Sequence, residues 1–127
     1  MKSFKAFMYV LGLLLVSPAL IAADLSGFWQ HEELPAWIEV RFEGGVGTGT
    51  VVRNDEYPER VGRVLLKELV PDEGEADTWR GKVYAERLEE YKDGEISLPQ
   101  ANLMRIKVKV GFMSRTVEWN RVEAVPP

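Results

Sequence analysis

Apolar and polar residues alternate along most of the chain after Asp24, and strict alternation predicts strands. In AWIEVRF, residues 36 to 42, Ile38, Val40 and Phe42 share one face, while Glu39 and Arg41 take the other, beside Trp37. A glycine-rich turn at 43 to 45 leads to a second strand from about Gly47 to Arg53. WRGKVYA, residues 79 to 85, makes another. The clearest run is residues 103 to 110, where Met104, Ile106, Val108 and Val110 face in and Arg105, Lys107 and Lys109 face out. Gly111 breaks it, and residues 114 to 122 resume it with Val117, Trp119 and Arg121 on one side.

Turn chemistry separates these runs at Glu43-Gly44-Gly45, Asn54-Asp55, Pro71 to Gly74, Asp93-Gly94 and Gly111. Short strands joined this closely predict an all-β fold, a small antiparallel meander of six to eight strands. Residues 58 to 70 are ambiguous. Val61, Val64, Leu65 and Leu69 fall near helical spacing, but the β-branched content and the stop at Pro71 favour a strand behind a turn at Gly62.

The first 23 residues break the pattern. Lys2 and Lys5 precede an apolar run that Ser17 and Pro18 interrupt, and Ile21-Ala22-Ala23 supplies short side chains for cleavage. This is the plan of a secretory signal, too short and too interrupted for a membrane span. The expected layout is a signal peptide over 1–23, one barrel domain over 24–122 and a loose tail over 123–127, in a periplasmic or secreted protein. Loss of the two leader lysines takes the net charge from −4 to −6. That acidity argues against nucleic acid, which basic patches bind, and against an electrostatic grip on anionic lipid. The absence of cysteine removes disulfides, thiol catalysis and thiolate metal sites, and His31 is the one histidine.

A meander with one apolar face must bury that face and both edges, and closing the sheet on itself does so. Closure requires the strand near Gly27–His31 to pair with the one near Thr116–Val122. Gly27 permits close approach, Trp29 plugs one end, and Arg121, on the same side as Trp119, can stack on an indole. The Gly-x-Trp start with a late arginine resembles the closure of lipocalins. The chain also resembles DUF2147, a family of uncharacterised exported bacterial proteins. The features are GFW (27–29), GTVV (49–52), Trp79-x-Gly81-Lys82-Val83-Tyr84, and Arg115-Thr116-x-x-Trp119-x-Arg121. The resemblance departs over residues 85 to 103. It implies a small lipocalin-like barrel in the cell envelope, closed or nearly closed, with no established activity.

Four stretches carry candidate chemistry, and each has a plainer reading. GGVGTGT, residues 44 to 50, lacks the helix and lysine of a phosphate loop and reads as a hairpin. His31 with Glu33 offers two ligands on one strand face, too few for a metal. Asp72, Glu73, Glu75 and Asp77 do not follow a calcium-loop order, and Glu86, Glu89 and Glu90 read as a charged turn rather than a glycosidase pair. No catalytic, metal or cofactor site is therefore expected. Trp37, with charged neighbours on its face, is expected to be exposed and either to contact a ligand or partner or, next to Pro35, to cover a barrel mouth, with Tyr57 and Arg60 on a loop that could fold over an opening.

Two function classes follow. One is a non-enzymatic binder of a small apolar or amphipathic ligand in the barrel or its mouth. The other is a packed envelope accessory protein that meets a protein partner through Trp37 and edge loops. Three inward tryptophans in so small a barrel favour the packed interior of the second class.

Overall fold

The computed structural model describes residues 24–127. The predicted leader, residues 1–23, lies outside the described residues. Eight antiparallel strands form a closed barrel in sequence order. They are β1 Gly27–His31, β2 Ala36–Glu43, β3 Val46–Asn54, β4 Val64–Pro71, β5 Thr78–Ala85, β6 Glu90–Gln100, β7 Leu103–Val110 and β8 Met113–Val122. The all-β meander and the predicted closure are both present. β1 pairs with β8 through Phe28↔Val122, Trp29↔Arg121, Gln30↔Asn120 and His31↔Trp119.

Alternation selects the lining. Trp29, Ile38, Val40, Leu69, Trp79, Met104, Ile106 and Trp119 are all buried in one cluster, and Phe42, Val108 and Val117 pack partly against it. The ambiguous segment is a single 3-10 turn, Pro58–Arg60, followed by β4. Its helical spacing has a strand explanation. Glu68 adopts a positive φ of 56°, and the β4–β5 register shifts between Lys67 and Val70. That bulge lets Leu66 and Leu69, three apart, both point into the core. A second shift against β3 leaves Leu65, rather than Leu66, as the half-buried residue.

The turn predicted at Asp93-Gly94 is not there. Both residues lie inside β6, with Gly94 opposite Gly81 on β5 and Val108 on β7. A Cβ at Gly94 would collide with Val83, and one at Gly81 would stand 2.6 Å from Leu69 and 2.7 Å from the Lys67 carbonyl. Glycine here makes room for core side chains within a strand rather than turning the chain. The real turn is Glu86–Glu89, one link earlier, with Glu89 at positive φ.

One end of the barrel is sealed. It carries the β2–β3, β4–β5 and β6–β7 connections, the start of β1 and the end of β8. Leu25 is fully buried there, and the Trp29 indole donates to its carbonyl at 3.0 Å. The Arg121 guanidinium lies 4.3 Å from the Trp29 ring and donates to the backbone oxygens of Asp24, Ser26 and Ala101. Gly27, at φ 127°, leaves that guanidinium its place, since a Cβ would sit 3.2 Å from Nη1. One arginine thus ties the N-terminal segment, the β6–β7 turn and β8 together across the plug.

Candidate functional site: a cavity in the open half of the barrel

Stacking Trp29, Leu69 and Met104 toward the sealed end leaves the other half short of large side chains. A cavity of ≈ 530 Å³ opens there. Val51, Leu65, Val83, Ile106, Val108 and Val117 form apolar walls, and Trp119 contributes to its lining. The side chains are those the strand alternation turned inward. The three inward tryptophans do not fill the barrel, because Trp29 and Trp79 take no part in this lining.

Polar groups gather at the mouth. His31, Asn54, Arg60, Glu86, Arg87 and Arg115 line it. Glu86 bonds to Arg63 and lies 3.6 Å from Arg60, so its charge is matched. Arg87 and Arg115 have no ion-pair partner among the described residues. The cavity therefore joins apolar walls to a cationic lip, on a protein whose overall charge is negative.

His31 is better placed than a solvated strand end. Its ring meets Trp119 edge-on, with centroids 4.9 Å apart. Its Nδ1 accepts the backbone N–H groups of Glu33 and Leu34, each at 3.0 Å. An Nδ1 that accepts cannot carry a proton, so the neutral ring holds its hydrogen on Nε2. Burial lowers the His31 pKa below 6.5, against the opposing pull of Glu32 and Glu33.

The predicted contact residues divide. Arg60 lies on the mouth and lines the cavity. Tyr57 is 38% exposed and stacks its ring 3.9 Å from the Arg60 guanidinium. Trp37 differs from expectation: it is on the outer face, as the alternation requires, yet only 6% exposed. Arg53, its partner across the β2–β3 pair, places its guanidinium 5.1 Å from the ring. Asp55 and the backbone oxygens of Pro126 and Pro127 fix Arg53 in turn. Trp37 is thus covered rather than offered, and its indole N–H is buried without a partner. Of the closure residues, Gly27, Trp29 and Arg121 form the sealed end, while Trp119 faces the cavity. Arg87 and Arg115 were missed because a lone arginine on a turn or strand start carries no pattern.

Among the described residues no group of three or more His, Asp or Glu side chains is placed to hold a metal ion. Of the acids of 72 to 77, Asp72 serves the backbone: it accepts from the N–H groups of Gly74 and Glu75 and pairs with Arg80.

No protein-family model matches the chain, and no curated protein matches it. Among solved structures it is similar to protein HP1028 from the human pathogen Helicobacter pylori, described as belonging to the lipocalin family. The TM-score is 0.62 at 16% identity, over 80% of this chain and 85% of that one. The likeness is one of fold, and with the closed eight-strand meander it defines a lipocalin-like barrel.

Proposed function

We propose that this is an exported, non-enzymatic binding protein that carries a small amphipathic anion, with an apolar tail in the barrel and a negative head at its lip. The cavity carries the reading: apolar below, with Arg87 and Arg115 unneutralised above. Its volume lies within the range of small-molecule pockets, and its plan of apolar walls with few polar groups is theirs too. An apolar tail leaves water on entry, and an anionic head gains charge-assisted hydrogen bonds at the arginines. Binding is favoured over catalysis because Glu86 and His31, the lip groups that could transfer a proton, are engaged in structural roles. Glu86 is bridged by two arginines, and His31 Nδ1 is held by a turn. Export rests on the residue 1–23 pattern, and kinship with DUF2147 on the Trp79–Tyr84 and Arg115–Arg121 segments.

Dansylated undecanoic acid tests the reading. Its emission should rise and shift to the blue on titration with the protein, saturably. Val108→Trp, which fills the cavity, should abolish the change while the protein keeps a cooperative melt. Arg115→Gln should weaken the anionic probe about tenfold or more, the worth of one charge-assisted hydrogen bond, and leave its methyl ester unaffected. Absence of saturable binding, or equal binding by Val108→Trp, contradicts the proposal.

A further inference from the structure

The β7–β8 hairpin ends in the most exposed apolar residues of the described chain. Phe112 is 100% exposed and Met113 62% exposed. Gly111, at φ 64°, sets the tight turn that puts them at the tip. Folding gains nothing from a phenylalanine wholly in water, and with Met113 beside it the tip presents two adjacent apolar side chains to a partner surface.

Charge identifies the surface that receives it. From Ile96 to Val117 the chain contains no acid, although the protein as a whole is acidic. Lys107 and Lys109 stand behind the tip on the outer face of β7. The nearest acids across the β6–β7 pair are already taken, Glu95 by Arg80 and Asp93 by Lys82. Neither Lys107 nor Lys109 has an ion-pair partner among the described residues. An apolar tip backed by unneutralised cations matches the cross-section of an anionic lipid surface, with acyl chains within and phosphates at the rim. A soluble partner would have to offer the same two layers at one point.

We infer that the β7–β8 hairpin docks the barrel on anionic bilayers, Phe112 and Met113 entering the interface while Lys107 and Lys109 meet lipid phosphates. The contact is local. Net charge disfavours such binding for the molecule as a whole, and the β1–β2 and β3–β4 connections at this end of the barrel carry acids, Glu32, Glu33, Asp55 and Glu56, so the contact is confined to the hairpin tip, which carries none. The docking does not depend on a ligand in the cavity.

The test is sedimentation of purified protein with vesicles of phosphatidylglycerol and phosphatidylethanolamine, against vesicles of phosphatidylcholine alone. Protein should pellet with the anionic vesicles only, and less as salt is raised. Lys107→Gln with Lys109→Gln should lower partitioning about twenty-five-fold, from about fivefold per cation. Phe112→Asp should reduce it to the phosphatidylcholine level without changing the melting temperature, since the side chain touches nothing that a fold needs. Phe112→Trp should report the contact by a blue shift on vesicle addition. Equal binding to both vesicle types, undiminished binding by Phe112→Asp, or no sedimentation with anionic vesicles overturns the inference. So does pelleting of protein in the absence of vesicles, which would mark the tip as a self-association site.

Discussion

Single residues show where a pattern of alternation stops being enough. The face of Trp37 was legible, because a strand gives each side chain a side. Its burial was not, because the Arg53 guanidinium over the ring is held there by the backbone of Pro126 and Pro127, far along the chain. Burial without a partner for the indole N–H makes a distinct prediction. Trp37→Ala removes the ring and leaves a void, and should lower unfolding free energy by about 3 kcal/mol, the lower end for large aromatic truncations. Trp37→Phe keeps most of the packing and deletes an unsatisfied donor, so it should cost about 1 kcal/mol or less. Urea titrations of the two variants check this. Equal losses would show that size is not what the site requires. Arg121 was easier to read, since its neighbour two places back, Trp119, put it on the inner face where the first strand had to arrive.

Elements were legible wherever the period was regular. β2, β5, β7 and β8 follow from alternation, and β4 was favoured over a helix by its branched residues. β6 was lost because Asp93-Gly94 reads as a turn from local chemistry alone. The space that Gly94 leaves for Val83 exists only after β5 is in place. The β1–β2 connection carries a pH prediction of the same local kind. Its backbone is held by two N–H groups on His31 Nδ1, an arrangement that a protonated ring cannot keep. The folded pKa lies below 6.5, so the unfolded chain binds the proton first as pH falls. The stability gained from neutral His31 is therefore complete above pH 6.5 and declines as pH falls from there through the folded pKa. Amide exchange at Glu33 and Leu34 should accelerate, beyond its intrinsic pH dependence, between neutral pH and pH 5, and His31→Asn should lose that response. Unchanged protection across the interval would show that the turn does not rely on the imidazole.

At the scale of the molecule, closure was readable because a meander with one oily face leaves few other solutions. The first and last strands had to meet, and Trp29 does pair with Arg121. The hollow was not readable. Counting inward tryptophans gave a full barrel, whereas their position along the axis leaves one half packed and the other open. That depth depends on strand tilt and register, set by bulges such as the one at Glu68, and a sequence does not display them. The function proposed here depends on the open half receiving an anionic amphiphile tail first. A crystal structure of the protein with a fatty acid brominated at its terminal carbon tests this directly. The account predicts an anomalous bromine peak inside the barrel, between Val108 and Trp119, with the carboxylate at the Arg87–Arg115 lip. A bromine peak confined to the outer surface, or an interior filled by rearranged side chains, would contradict it.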